Sequence, residues 1–339
     1  MMPALLVQAS STPEVSFRDA PVSPALRRLR LLRLSVTDLC NFRCLYCMPG
    51  NGVLKLAHSD LLSFEALTEL VRWLSCETGI NRVRITGGEP LVRPGIEHLI
   101  RQLSSFPSLQ EISLTTNGTL LPQMAHGLKA AGLSRVNISL DSLSEARFAQ
   151  VTRGGQLKRT LDGIGAAKEA GLTPIKLNTV LQRSTWKQEV PCLLDYAADC
   201  GLEIRFIELM RTGTERAWCD SEFISVAEVC RELSAEILSV EDESRASARK
   251  TTVKWRGTLV NVGWITPRSH PFCAQCERLR MDARGRVRRC LMDPTTLDLP
   301  RVLSTMNSAD AQHEFRTYIA GKVPPRTMDS ALAMSQIGG

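Results

Sequence analysis

The chain has 339 residues, of which 43% are hydrophobic, and at this length it can bury a sizeable core without a disulfide scaffold. No apolar run reaches the roughly 18 to 20 residues of a membrane span, and an aromatic content of 5% argues against a binder of single-stranded nucleic acid. The formal net charge of +7 favours an anionic substrate but does not identify it.

The first residues mix polar and apolar side chains and are rich in proline. They lack the basic start and apolar centre of a signal peptide, so we expect a cytoplasmic protein with a flexible leader over residues 1–27. The length predicts about two domains after it. We place them at residues 28–222 and 223–339, because the alternating pattern described next ends near residue 222.

Short apolar, β-rich runs recur through the first of these domains, as buried parallel strands should. They cover residues 31–36, 83–86, 112–115, 136–140, 175–180 and 204–209. Most are separated by helical stripes, such as the one formed by Phe64, Leu67, Leu70, Val71 and Leu74. The alternation predicts a parallel α/β fold. An open doubly wound sheet and a barrel both fit, but polar and cysteine residues at the strand ends favour a barrel.

The first strand leads into three cysteines, Cys40, Cys44 and Cys47, in a Cys-x3-Cys-x2-Cys spacing. Three thiolates can hold three corners of an iron–sulfur cluster and leave one iron open for a small molecule. A structural zinc site usually closes at four ligands, and no nearby residue completes one. A disulfide needs an oxidising compartment, for which the sequence gives no sign. The pattern therefore favours an iron–sulfur cluster.

The second domain begins with a predicted helix over 224–238, followed by a charged loop over 241–249. Residues 252–255 and 258–265, separated by Arg256-Gly257, predict a β-hairpin. A second trio follows, Cys273, Cys276 and Cys290, in a Cys-x2-Cys-x13-Cys spacing. A zinc site closed by His270 is one alternative, and a second cluster with an open iron is the interpretation we favour.

The segment from Leu34 to Pro49 resembles the signature of the GTP 3′,8-cyclase family within the radical S-adenosylmethionine (radical SAM) superfamily, although Leu39 stands where that family usually has arginine. The segment from Pro267 to Arg280 is similar to the family's C-terminal motif. The resemblance implies an incomplete (β/α)6 barrel, a smaller C-terminal domain carrying the second cluster, two [4Fe–4S] clusters and S-adenosylmethionine.

The same resemblance implies roles for residues around both trios. Gly87-Gly88-Glu89-Pro90 matches a family motif that contacts the methionine part of S-adenosylmethionine. The S-adenosylmethionine site that it implies consists of Tyr46, Gly88, Ser139 and Met210. The GTP site that it implies consists of Arg33, Arg84, Thr115, Lys176, Arg278, Leu279 and Arg280. The catalytic residues stay unknown, because the cluster and the deoxyadenosyl radical carry the chemistry.

Charges within apolar strands support the GTP positions, because a buried cation is costly unless it is paired or faces a ligand. Arg33, Arg84 and Lys176 are such residues. The alternative is that each pairs with a carboxylate such as Glu89 or Glu208. Arg278 and Arg280 have their own alternative, an exposed basic turn.

The activity that the resemblance implies is the cyclisation of GTP to 3′,8-cyclo-7,8-dihydro-GTP, the first step of molybdenum cofactor biosynthesis. It also implies a downstream cyclic pyranopterin monophosphate synthase and a C-terminal tail, here Gly338-Gly339, that reaches toward the active site. The electron donor is unidentified, and a homodimer is left open. The alternatives are another radical SAM enzyme with an auxiliary cluster, such as a peptide maturase, and a non-catalytic iron–sulfur protein.

Overall fold

The computed structural model describes residues 24–53, 55–212, 215–233, 237–243, 249–325, 329–330 and 334. Most of the predicted leader and the Gly338-Gly339 tail lie outside these residues. The prediction of a flexible leader is wrong for its last residues, 24–27. They belong to a helix whose Ala25 and Leu26 are buried in the core, because both are apolar and pack there.

The described residues form an α/β fold in which the predicted alternation is confirmed. The helices are α1 (Pro24–Arg28), α2 (Phe64–Thr78), α3 (Ile96–Ser104), α4 (Leu121–Ala130), α5 (Glu145–Thr152), α6 (Leu157–Glu169), α7 (Trp186–Cys200), α8 (Arg216–Ser221), α9 (Val226–Glu232), α10 (Leu299–Thr305) and α11 (Ser308–Ala320). The strands are β1 (Leu31–Ser35), β2 (Arg82–Thr86), β3 (Glu111–Thr116), β4 (Arg135–Ser139), β5 (Lys176–Leu181), β6 (Glu203–Glu208), β7 (Arg211–Thr212), β8 (Ile237–Glu243), β9 (Arg249–Trp255), β10 (Thr258–Ile265), β11 (Arg278–Met281), β12 (Arg286–Arg288), β13 (Leu297–Asp298) and β14 (Asp329–Ser330). None of the described helices is both long enough and apolar enough to cross a bilayer.

One sheet carries the six predicted strands at its centre, in the order β1 to β6, with every neighbouring pair parallel. Strands of the C-terminal part extend it at both ends. β11 pairs parallel with β1, and β10 pairs parallel with β6. The hydrophobic core is also shared by both parts of the chain. The predicted boundary between residues 222 and 223 therefore marks no break in the sheet or the core.

Local sequence explains why the helices begin and end where they do, as α2 illustrates. Ser63 caps its start, where the side-chain oxygen accepts a hydrogen bond from the amide of Ala66. Gly79 ends it in the left-handed conformation, with φ of 73°. The predicted stripe of α2 faces inward, and Leu67, Val71 and Leu74 are fully buried.

The predicted hairpin is confirmed as β9 and β10. Arg256 and Gly257 at its turn both have positive φ, as a two-residue hairpin loop of the type I′ class requires. The predicted helix over 224–238 is too long, because Ile237 begins strand β8. β8 pairs with β9, and this pairing outweighs the helical spacing read from the sequence. For the same reason part of the predicted 241–249 loop belongs to β8 and β9.

The connection between β10 and β11 determines where the second trio lies. Residues 266–277 run from the β6 end of the parallel strands to the β1 end and carry Cys273 and Cys276. Glu208, at the end of β6, holds the start of this connection. Its carboxylate accepts hydrogen bonds from the amides of Arg268 and Ser269, at 3.1 and 2.9 Å, and from the Ser269 hydroxyl.

Candidate active site

A single cavity of about 1200 Å³ lies within the curve of the parallel strands. Residues from β1 to β6, β10 and β11 line it, so the sheet curls around this space as an open barrel does. All six cysteines of the two trios line the same cavity. The connection from β10 to β11 brings Cys273 and Cys276 to a space that the first trio already borders, and the segment after β12 brings Cys290 there.

The first trio lies on the loop after β1, which is fastened to its neighbours along its length. The amides of Arg43 and Leu45 donate to the carbonyls of Thr152 and Val151 at the end of α5. Asn41 accepts a hydrogen bond from the side-chain amide of Asn117 at 2.7 Å. A loop held in this way presents its thiols in a defined arrangement before any ligand arrives.

Two thiols of the first trio have raised pKa values. Burial raises the pKa of Cys44 well above its usual range, and the neighbouring Cys47 raises it further. Burial likewise raises the pKa of Cys40 to about 12. Because iron binds the thiolate, a cluster bound at these cysteines would displace their protons. Among the described residues, no three His, Cys, Asp or Glu side chains are grouped closely enough to hold a single metal ion.

The second trio lies in cationic surroundings. Burial acts to raise the pKa of Cys276, but Lys322 and Arg278 outweigh it and lower that pKa. Lys322 Nζ donates to Cys276 Sγ at 3.6 Å. His270, the alternative zinc ligand, is exposed, and its ring nitrogen Nδ1 lies 3.2 Å from Ser269 Oγ.

The Gly-Gly turn after β2 packs against the loop that leads to the first trio. The amide of Gly88 donates to the carbonyl of Thr37 at 2.8 Å, and the amide of Glu89 donates to the carbonyl of Leu39 at 2.7 Å. A Cβ atom added at Gly88 would stand 2.3 Å from the carbonyl oxygen of Leu39. The turn therefore needs glycine for close contact with protein backbone, and Gly88 also lines the cavity.

We expect Gly88→Ala to lower the free energy of unfolding by about 3 kcal/mol, because backbone atoms must move to admit the methyl group. Iron uptake by the first trio should fall with it. The matched control is Gly165→Ala in α6, where no atom lies within 4 Å of the new Cβ and alanine favours the helix. Thermal denaturation and iron analysis test both variants. Equal melting temperatures for the two would contradict the expectation.

The residues of the predicted S-adenosylmethionine site all line the cavity, and two have informative contacts. The Tyr46 hydroxyl donates to Asp141 Oδ2 at 2.6 Å. Met210 packs in a small apolar cluster with Leu291, Met292, Cys290 and Met334. The amide of Met334 donates to the carbonyl of Cys47 at 3.0 Å, so this part of the C-terminal segment lies against the first trio.

All the cations of the predicted GTP site except Lys176 lie on the adjacent strands β11, β1 and β2. Arg33 stands beside Arg280 in the pairing of β1 with β11, and beside Arg84 in the pairing of β1 with β2. Burial lowers the pKa of Arg33 well below its usual range, and Arg280 and Arg84 lower it further. Burial also lowers the pKa of Arg84 to about 9. Like charges held together in this way create a strong site for a polyanion.

The alternative for the strand cations, pairing with a carboxylate, holds for Lys176, although its partner is neither Glu89 nor Glu208. Lys176 Nζ instead lies 2.5 Å from Glu203, which also accepts a hydrogen bond from Arg205 at 2.8 Å. Glu89 accepts hydrogen bonds from Thr116 and from the amides of Leu91 and Asn117, and burial raises its pKa to about 7. Both glutamates hold loops rather than cations.

The sequence analysis missed several charged residues that line the cavity. They are Arg82, Glu111, Arg135, Asp141, Arg205, Lys250, Glu277 and Arg289. The signal for some of them was available, because they stand two residues from a predicted site residue on one strand, as Arg82 does from Arg84, and therefore share its face. The predicted GTP contact of Leu279 does not extend to its side chain. This side chain is fully buried in the hydrophobic core, so only its main chain can face a ligand.

Fold and site define a radical SAM protein: the model for that superfamily matches residues 34–191, and a model for Molybdenum Cofactor Synthesis C matches residues 202–328. The chain is 47% identical over 276 residues to the GTP 3′,8-cyclase of Peptoclostridium acidaminophilum, covering 80% of this chain and 83% of that protein. It is 39% identical over 320 residues to the GTP 3′,8-cyclase of Geobacter sulfurreducens, covering 92% and 98%. The chain belongs to the GTP 3′,8-cyclase family.

Solved structures agree with this at the level of the fold. SuiB of Streptococcus suis, bound to its precursor peptide SuiA, matches with a TM-score of 0.59 at 14% identity. The match covers 84% of this chain and 64% of SuiB. The predicted fold class and family are confirmed, and membership of the superfamily implies a [4Fe–4S] cluster and S-adenosylmethionine as cofactors.

Proposed function

We propose that this chain converts GTP to (8S)-3′,8-cyclo-7,8-dihydroguanosine 5′-triphosphate, the first step of molybdenum cofactor biosynthesis. One observation carries the proposal. Both cysteine trios and the cations of β1, β2, β5 and β11 line a single cavity. A radical formed beside one trio can then reach a nucleotide held beside the other. Membership of the GTP 3′,8-cyclase family supports the same conclusion.

The two trios are assigned different roles. Cys40, Cys44 and Cys47 hold the [4Fe–4S] cluster of the superfamily, with S-adenosylmethionine at Tyr46, Gly88, Ser139 and Met210. When bound, this cluster supplies the electron that cleaves S-adenosylmethionine and yields the 5′-deoxyadenosyl radical. Cys273, Cys276 and Cys290 hold a second [4Fe–4S] cluster. Lys322, Arg278 and Arg280 favour the thiolate form of Cys276 that such a cluster needs.

The protein's own part in the reaction is binding and orientation. Arg280 is buried and Arg33 and Arg84 are half-buried on neighbouring strands, so they supply charge for the triphosphate with less screening than in bulk water. Arg278, Thr115 and the main chain at Leu279 complete the proposed GTP site. A nucleotide fixed between the trios presents its C3′ hydrogen to the radical and its C8 to the new bond, which is catalysis by positioning.

The test is direct. Reconstituted protein is incubated without oxygen with GTP, S-adenosylmethionine and dithionite, and the products are separated. We expect both 5′-deoxyadenosine and the cyclised nucleotide. Binding of GTP, measured by calorimetry, separates this function from a peptide maturase or an electron-transfer protein. Absence of GTP binding in protein that carries both clusters would falsify the proposal.

The affinity for GTP should fall as the pH rises through about 8. Burial and the neighbouring Arg205 together lower the pKa of Lys176 to about 8, although Glu203 acts in the opposite direction. In the protein without GTP, the charged fraction of Lys176 therefore falls above about pH 8, by up to about tenfold for each pH unit. In Lys176→Arg the charge persists, so its affinity should stay nearly constant. Calorimetry between about pH 7 and about pH 8.5, below the pKa of about 9 of Arg84, measures both, and an equal decline in the variant would show that another group is responsible.

The surrounding steps follow from the same proposal. The product passes to a cyclic pyranopterin monophosphate synthase, and electrons come from a donor that the structure does not identify. None of the eleven cysteines forms a disulfide, and thiols that bind clusters suit a reducing compartment such as the cytoplasm. A homodimer stays a prediction.

A further inference from the structure

Asp141 joins the first cysteine loop to the barrel. It follows β4, and its carboxylate is buried, with 7% of the residue exposed. Oδ2 accepts a hydrogen bond from the Tyr46 hydroxyl at 2.6 Å, and Oδ1 accepts one from the amide of Val180 in β5 at 2.8 Å. One side chain therefore connects the end of β4, strand β5 and the segment between Cys44 and Cys47.

Hydrogen bonds on two sides hold Tyr46, and through it this segment, in place. Its hydroxyl reaches Asp141 on one side, and its carbonyl accepts a hydrogen bond from the Thr212 hydroxyl of β7 at 3.3 Å on the other. Since Tyr46 lies next to Cys47 and two residues after Cys44, a shift of its ring moves both thiols. The position of the ring depends on Asp141, because the phenol and the carboxylate form a short, charge-assisted hydrogen bond in a buried place.

The same carboxylate lies close to the proposed cofactor site. Ser139 is two residues earlier, at the end of β4, and both residues line the cavity. Strand β4 pairs with a parallel strand on each side, so its end is a rigid support for Ser139 and Asp141. Asp141 thus relates the cysteine loop to the strand that carries Ser139.

We infer that Asp141 is a positioning residue that acts through Tyr46 to set the first trio against the S-adenosylmethionine site, and thereby determines the affinity for S-adenosylmethionine. The inference rests on the S-adenosylmethionine site proposed above. It assigns Asp141 no contact with the cofactor and no step in the reaction. It predicts that removing the Tyr46 hydroxyl and removing the Asp141 carboxylate weaken S-adenosylmethionine binding to the same extent. Removing both groups should weaken it little more than removing one.

The experiment compares Tyr46→Phe, Asp141→Asn and the double variant as reconstituted, full-length protein. Binding of S-adenosylmethionine is measured by calorimetry without oxygen, and iron content and the electron paramagnetic resonance signal of the reduced cluster are recorded with and without S-adenosylmethionine. Each single variant should bind about tenfold more weakly, as loss of one charged hydrogen bond implies. The double variant should be no weaker than the single variants, with unchanged iron content.

The control is Thr78→Val at the end of α2. The Thr78 hydroxyl is also buried, donates to the carbonyl of Leu74 at 2.7 Å and accepts from the amide of Ile80. This variant should lose stability and bind S-adenosylmethionine as the wild type does. It therefore separates a general loss of buried hydrogen bonding from an effect on the cofactor site.

The outcomes separate the inferred role of Asp141 from the proposed S-adenosylmethionine site on which it rests. Losses that add in the double variant would show that Asp141 acts independently of Tyr46, and would overturn the inference alone. Wild-type affinity in both single variants would also overturn it. A wild-type protein that carries the first cluster and binds no S-adenosylmethionine overturns the proposed site, and the inference with it.

Discussion

Replacing Cys273 with alanine is expected to lower the iron content from about eight to about four atoms per chain and to abolish GTP cyclisation. The reason is that Cys273 belongs to the trio to which the proposed function assigns the second cluster and the nucleotide. The first trio is intact in this variant, so S-adenosylmethionine should still be cleaved to 5′-deoxyadenosine under strong reduction. Iron analysis and product separation measure both effects on one sample.

A variant of the first trio tests whether the two trios have separate roles. Cys40→Ala should also retain about four iron atoms, but it should lose cleavage of S-adenosylmethionine and keep binding of GTP. Cys192→Ala is the matched control, because Cys192 is exposed on α7 and belongs to neither trio. It should keep all the iron and full activity. Two trio variants with the same losses would contradict separate clusters with separate tasks.

Replacing Arg84 with methionine is expected to weaken GTP binding about 100-fold, or about 2.7 kcal/mol, while the melting temperature stays constant or rises. Burial and the neighbouring Arg135 together lower the pKa of Arg84 to about 9, so the charge is unfavourable when no anion is bound. Removing it relieves that cost by about 1 kcal/mol, and methionine fills much of the space. Affinity and stability should therefore change in opposite directions.

Arg101→Met provides the control for Arg84→Met. Arg101 is exposed on α3, so its loss makes the same change in net charge away from the cavity. Its affinity for GTP should stay within about twofold of the wild type, because surface charges are screened by salt. Calorimetry and thermal denaturation of the two variants complete the test. A fall in both affinity and melting temperature for Arg84→Met would indicate a structural role for Arg84 instead.

The parallel strands could be predicted closely from the sequence because each is a short apolar run, as buried parallel strands are. The run predicted at 204–209 corresponds to β6, Glu203–Glu208, with a difference of one residue at each end. Strand β8 could not be predicted, because Ile237 and Leu238 also fit a helical stripe and only the pairing with β9 decides between the two.

The site could be predicted in part. Spacing alone marked both trios, since ligands of one cluster are close together in sequence. Contacts between distant segments had no such signal. Lys176 meets Glu203 because β5 pairs with β6 in one particular register, and Asp141 meets Tyr46 because the cysteine loop folds back over β4. The sequence also gave no sign that β10 and β11 join opposite ends of the parallel sheet and so bring Cys273 to the cavity.

Transfer of deuterium from GTP labelled at C3′ tests the central claim most directly, because that claim places the two trios and the nucleotide in one cavity. Reconstituted protein is given the labelled GTP, S-adenosylmethionine and a reductant, and 5′-deoxyadenosine is analysed by mass spectrometry. We predict that 5′-deoxyadenosine gains one deuterium atom as the cyclised nucleotide forms. Unlabelled 5′-deoxyadenosine, from protein that carries both clusters and binds GTP, would contradict the account.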